Sequence, residues 1–218
     1  MNLLYCDENL LVINKPAGVP VLPEGWEADA PYLVKQLEAE FGRIWVVHRL
    51  DKVTSGVMVF ARHAEAHRVL NAQFEKRQAK KVYHALLVGS PAWEEKTTRH
   101  PLRANVGHRH RTVVDDRNGK SAETHFKVRQ HFAVATLVEA APVTGRTHQV
   151  RVHAAAIGHP LLGDLLYGAP PTDLIGRPAL HAYALTFCFP LDEPARTFIA
   201  SYPNDFENAI NILANLQK

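Results

Sequence analysis

His48-Arg49-Leu50-Asp51-Lys52-Val53-Thr54-Ser55-Gly56 places a carboxylate, two cations and two hydroxyls between two apolar, β-branched runs. Residues 44–48 and 57–61 predict strands, so the polar stretch between them must be an exposed connection ending on glycine. Such a loop presents Asp51 to a ligand. The alternative is a charged turn closed by an internal salt bridge, and composition does not separate the two.

Upstream, residues 3–5 and 10–13 flank the turn Asp7-Glu8-Asn9 and predict an opening hairpin, so no targeting peptide is expected ahead of the fold. A helix is expected over 30–41, capped by Asp29, with Pro31 in its first turn, Leu33, Val34, Leu37 and Phe41 on one face and Gly42 at its end. Downstream, residues 65–78 predict a second helix, with Ala66, Val69, Leu70 and Phe74 as its apolar stripe. Strands are expected at 81–89, 124–128 and 133–140. Thr147 is expected to cap a short helix with Val150, Ala154 and Ile157 on its inner face and Gly158 at its end. Strands at 183–189 and 197–200 precede a terminal helix capped by Asn204, with Phe206, Ile210, Leu213 and Leu216 as its apolar residues. Hairpins and short loops join most strands, which disfavours regular βαβ winding and predicts an α+β fold in one domain, residues 1–218.

With 218 residues, 46% of them hydrophobic, the chain can bury a full core, and no uncharged apolar run approaches the roughly 18–20 residues of a membrane-spanning helix. A cytoplasmic protein is expected, with Cys6 and Cys188 as buried free thiols rather than a disulfide. Net charge is only +3, yet thirteen histidines allow the surface to become more positive beside phosphate, which permits RNA without requiring it. Region 99–120 carries five arginines, three histidines and one lysine against two aspartates, and predicts a long basic loop. Arg103, Arg109 and Arg111 are its candidates for gripping phosphates; a merely solvated loop is the alternative. His148 and His153 invite a metal, but five-residue spacing does not put both on one helical face and no cysteine pair assists. No metal is expected.

The loop around Asp51 resembles the His-Arg-Leu-Asp-x-x-Thr-Ser-Gly signature of the RluA-type RNA pseudouridine synthases, which isomerise chosen uridines in ribosomal and transfer RNA. Asn14-Lys15-Pro16-Ala17-Gly18 resembles that family's opening segment, Lys81-Val82-Tyr83-His84-Ala85 its tyrosine strand, and Thr144 to His153 its second signature. Further likeness at Gly158-His159-Pro160, Gly163-Asp164, Tyr167-Gly168 and Leu180-His181-Ala182 keeps the family's order and extends over nearly the whole chain.

The resemblance implies a pseudouridine synthase catalytic fold, with a mixed, largely antiparallel sheet flanked by helices and loops, and a reaction that needs no cofactor. It assigns Asp51 as the catalytic carboxylate, acting as nucleophile or as the group that stabilises and deprotonates a sugar cation. It makes Arg151 the cation that keeps that carboxylate ionised under bound RNA; a surface arginine with its stem on apolar neighbours is the alternative. Tyr83 is implied as the ring that stacks on the everted base, though a lone tyrosine on an apolar strand is otherwise a core residue. Arg49 is implied to fill the space the base vacates, and Thr54, Arg146 and His148 fall on the substrate side of the same signatures. The implied partner is a stem-loop of ribosomal or transfer RNA met by a monomer, as in short family members without an N-terminal S4-like domain. Two other functions share these residues: an RNA-binding or RNA-folding protein that has lost turnover, and a nucleoside glycosidase that releases free base.

Overall fold

The computed structural model describes residues 2–23, 31–107, 111–191 and 193–216. The element order begins β1 (Asn2–Cys6), β2 (Leu10–Lys15), α1 (Leu33–Phe41), β3 (Trp45–Val46), β4 (Ser55–Ala61) and α2 (Ala64–Glu75). It continues with β5 (Lys80–Val88), β6 (Glu95–Thr98), β7 (Leu102–Val106), β8 (Arg111–Val114), β9 (Thr124–His131) and β10 (Ala135–Pro142). It closes with α3 (Gln149–Ala156), a 3-10 turn Leu165–Tyr167, β11 (Leu180–Phe187), β12 (Arg196–Ile199) and α4 (Asn204–Asn215). This is the expected α+β class: strands pair through antiparallel hairpins and four helices are interspersed among the described residues. No described helix is long and apolar enough to cross a membrane.

The chain divides into two compact units, one of Met1–Lys81 with Ala182–Ser201 and one of Val82–His181 with Tyr202–Lys218. In the first, β2 pairs antiparallel with β1 on one side and β4 on the other. The opening turn closes because the Asp7 carboxylate accepts the backbone N–H groups of Asn9 and Leu10 at 2.8 and 2.7 Å, the local bond that makes aspartate a turn former. All seven residues of β4 are buried. Alternate residues serve opposite faces: Leu10, Val12, Val57 and Val59 pack with Ala66 and Leu70 of α2, while Leu11, Ile13, Met58 and Phe60 are buried on the other side.

The second unit has the strand order β5-β10-β9-β6. One face of β5 and β10 puts Ala85, Leu87, Val138 and Ala140 with Val150 and Ala154 of α3. The other face puts Leu86 and Leu137 with Phe206, Ala209 and Leu213 of α4. Helices on both faces explain why β5 is a nearly continuous apolar run rather than an alternating one.

Several local expectations are corrected. The long loop expected at 99–120 contains two strands among its described residues: β7 and β8 form a separate two-stranded antiparallel sheet in register Leu102↔Val114 and Arg103↔Val113. Only one residue in two turns inward, here Leu102 and Thr112, so the run offers too little apolar signal to be read as strand. The first helix has Tyr32 as its N-cap residue with no side-chain cap, and the expected cap Asp29 and start at Ala30 lie outside the described residues. Thr147 does not cap α3; the N-cap position falls on His148, in the left-handed conformation and with no side-chain cap bond. Asn204 is the first residue of α4 rather than its cap, a place taken by Pro203. The strand expected at 44–48 shrinks to β3.

Candidate active site

Asp51 stands half-buried in the connection from β3 to β4, and Arg49 of the same connection is exposed. The loop is held from below by Lys15, a lysine with no exposed surface. Its ammonium donates to the carbonyls of Pro16, Lys52 and Thr54 at 2.8, 3.2 and 2.9 Å, one acceptor for each of its three N–H groups. The Gly18 amide donates to the Lys52 carbonyl at 2.8 Å and the Thr54 amide to the Asp51 carbonyl at 3.0 Å, so both limbs of the loop are tied. Thr54 serves through its backbone; its hydroxyl is buried and has no hydrogen-bond partner among the described residues. His48 stacks on Phe74 with ring centroids 4.6 Å apart, and its Nε2 accepts the Val59 amide at 3.2 Å. That bond places the ring proton on Nδ1, and burial, aided by the charge on Lys81, pushes the pKa down to about 3. His48 is therefore a neutral strut.

In the second unit, the second signature is organised by Gln149, which is 4% exposed. Its Oε1 accepts the Thr144 hydroxyl at 2.6 Å and the Arg146 amide at 3.0 Å, while Nε2 donates to the Glu123 carbonyl and the Thr124 hydroxyl. These four bonds replace the missing Thr147 cap and fix His148 at φ 53°, where a non-glycine residue needs its surroundings to hold it. Arg146 donates from Nε to the Ser121 carbonyl at 3.1 Å. His153 is fully buried, bonded to the Thr124 hydroxyl and the His100 carbonyl at 2.9 Å each, and burial lowers its pKa.

Arg151 is 5% exposed, which overturns the reading of it as a surface arginine. Its Nε and Nη2 grip the two oxygens of Asp164 at 2.7 and 2.8 Å, a bidentate fork with a carboxylate that is itself 1% exposed. The guanidinium carbon lies 5.0 Å from the centroid of the Tyr167 ring. Tyr83 is half-buried on β5, opposite Ala140 of β10, and touches the cluster that holds Val150 and Ala154. The hairpin carries Arg103, paired with Asp115 at 2.6 Å, and an exposed Arg111; Arg109 lies outside the described residues.

Asp51, Arg49 and Thr54 thus share one loop of the first unit, and Arg146, His148 and Arg151 share one helix start of the second, with Tyr83 on the strand beneath it. Lys15, Gln149, Asp164 and Tyr167 were not singled out from the sequence. All four stood inside segments with a recognisable pattern, but a lysine in a strand or an aspartate in a Gly-Asp pair gives no sign of burial until its partners are in place.

Residues 9–156 match the RNA pseudouridylate synthase family. The chain is 38% identical over 206 residues to the dual-specificity RNA pseudouridine synthase RluA of Salmonella typhi, covering 94% of this chain and 93% of that protein. It is 38% identical over 215 residues to the uncharacterized RNA pseudouridine synthase YhcT of Bacillus subtilis, covering 95% of this chain and 70% of that one. Among solved structures, human RNA pseudouridylate synthase domain containing 4 aligns with a TM-score of 0.80 at 28% identity, over 98% of this chain and 93% of the other. Human RNA pseudouridylate synthase domain containing 1 aligns with a TM-score of 0.79 at 31% identity, over 93% and 83%.

Proposed function

The chain belongs to the RNA pseudouridylate synthase family and is an isomerase that forms pseudouridine in RNA, and we propose that it uses Asp51 as its catalytic carboxylate with Arg151 as its cationic partner and Tyr83 against the target base. In this reaction the ribose C1′–N1 bond of uridine breaks, the base turns, and a C1′–C5 bond forms. The proton lost from C5 is balanced by one gained at N1, so no oxidant, hydride or water is consumed. An ionised carboxylate held against C1′ serves either as nucleophile or as the base and counter-charge for a sugar cation.

Three features support these roles. The Asp51 loop is anchored by backbone carbonyls on a buried ammonium, so its shape is held through the main chain. Arg151 is a preorganised guanidinium whose planar fork is already set by Asp164, with Nη1 outside that fork. Base–aromatic stacking contributes about 1–3 kcal/mol, comparable with the few kcal/mol needed to evert a uridine, which suits Tyr83. Arg49, Arg146, His148 and Thr54 complete the proposed substrate side, and the basic hairpin with Arg103, Arg109 and Arg111 grips phosphates. The proposed substrate is a stem-loop of ribosomal or transfer RNA.

The observation that carries the reading is the clamped Asp51 loop, because it is built to hold one carboxylate still. The test is to map pseudouridines in RNA from cells with the protein, without it, and with Asp51→Asn. One or more sites should vanish without the protein and stay absent with the asparagine variant. A site that survives Asp51→Asn removes Asp51 from its role; release of free uracil would mean a glycosidase, and bound but unmodified RNA a binding protein.

A further inference from the structure

The free edge of the basic hairpin ends on the residue that cradles Arg151. In β8, Arg111 and Val113 are paired with Val106 and Arg103 of β7, so the intervening Thr112 turns its amide to the opposite edge. There its N–H donates to the Tyr167 hydroxyl at 3.0 Å. The same hydroxyl lies 2.8 Å from Nδ1 of His148, to which it can donate while accepting from Thr112. The Tyr167 ring packs with Leu102 of β7 and Val152 of α3, and its face carries the Arg151 guanidinium. Asp164, three residues earlier, forks the same guanidinium and is held by its own backbone: its amide donates to the Leu161 carbonyl, and its carbonyl accepts the amides of Tyr167 and Ala169 at 3.1 Å each. The adjoining Gly163 admits no side chain, since a Cβ there would stand 2.3 Å from the Arg177 carbonyl oxygen.

We propose that Tyr167 and Asp164 are positioning residues that latch the β7–β8 hairpin to Arg151, so that RNA held on the hairpin fixes the orientation of the catalytic guanidinium. The inference rests on the reading of Arg151 as the partner of the reacting carboxylate and extends it. Asp164 sets the plane of the guanidinium, the Tyr167 ring limits its tilt, and the Tyr167 hydroxyl transmits the hairpin's position to that ring and to His148. A hairpin that only collected phosphates would act on RNA affinity alone. A latched hairpin acts on the chemical step as well.

A double-mutant cycle on the full chain separates these two cases. Turnover is measured at saturating RNA, alongside RNA affinity, for Arg111→Glu, Tyr167→Phe and the pair. Tyr167→Phe keeps the ring and deletes only the hydroxyl, and its saturating turnover should fall about fivefold to tenfold, the scale of one hydrogen bond. Arg111→Glu should weaken binding and also lower saturating turnover, and the second effect should disappear in the Tyr167→Phe background. Asp164→Asn should lower saturating turnover with affinity unchanged, and circular dichroism and thermal unfolding confirm that each variant is folded. Multiplicative losses of saturating turnover in the double variant, or unchanged turnover in Tyr167→Phe, overturn the latch while wild-type activity leaves the assigned function standing. Wild-type protein that makes no pseudouridine would instead overturn the function itself.

Discussion

A lysine without exposed surface is costly unless its charge is met, and Lys15 meets it with three carbonyl oxygens, two of them in the connection that carries Asp51. Lys15→Met conserves the apolar stem and deletes the donor; the Lys52 carbonyl keeps the Gly18 amide, while the Pro16 and Thr54 carbonyls lose the ammonium, at about 1–3 kcal/mol for a buried acceptor left unpaired. We expect a loss of a few kcal/mol in urea unfolding together with loss of pseudouridine formation; an unchanged midpoint would show that the clamp is idle. Gly56 closes the same loop for a different reason. Its φ is +121°, and a Cβ there would lie 2.2 Å from the Ala182 carbonyl oxygen on the neighbouring β11. Gly56→Ala must push two strands apart, so a destabilisation of at least about 2–3 kcal/mol is expected in the same measurement. Ordinary stability in that variant would disprove the close approach.

Among the elements, α3 carries the Arg151 guanidinium, and the basic hairpin is proposed to hold RNA. The hairpin is anchored at its base, where Leu102 and Lys120 exchange backbone bonds at 2.9 and 2.8 Å and Arg103 pairs with Asp115. On the proposed role, charge reversal at Arg109 and Arg111 alters the grip on phosphate, while the described bonds at the base of the strands stay in place. RNA affinity should weaken, and its salt dependence should flatten by about 0.7–0.9 in log–log slope for each phosphate no longer neutralised. Titrations at several salt concentrations that give parallel lines for variant and wild type would deny the hairpin its role. This element was legible as a basic segment but not as strands, because its inward positions are a leucine and a threonine separated by charged neighbours.

Across the molecule, buried neutral histidines set the response to acid. Burial, with neighbouring positive charges, brings His48 to about 3 and His84 to about 4, against an ordinary value of 6.5, and burial lowers His153 as well. The unfolded chain binds protons at these sites between 6.5 and the depressed values while the folded chain does not, so stability is full above pH 6.5 and declines as pH falls. The depressed carboxylates add nothing in that range. Burial raises Asp7 and Asp205, but hydrogen bonds from Tyr5 and from Arg177 outweigh it and hold both below 3.8, so their loss comes only in stronger acid. Lys81, pushed down to about 8 by burial and by Arg77, gives a rise in stability between pH 8 and 10.5. The thermal midpoint should drop by several degrees from about pH 7 to about pH 5; a flat profile over that interval would mean the histidines are charged in the folded chain.

Fold class, the order of the helices and of most strands, and the two signature loops were readable along the chain, because they rest on local periodicity, turn chemistry and short contiguous motifs; β6, β7 and β8 were not. The family was readable for the same reason, since its motifs recur in order along nearly all of the chain. Folding was needed to bury Arg151 on Asp164, to make clamps of Lys15 and Gln149 rather than surface groups, and to tie a hairpin to a helix through Tyr167. Each of those arrangements includes hydrogen-bond partners 13 to 55 residues apart, and a polar side chain carries no local sign of whether distant carbonyls, carboxylates or amides will replace its water.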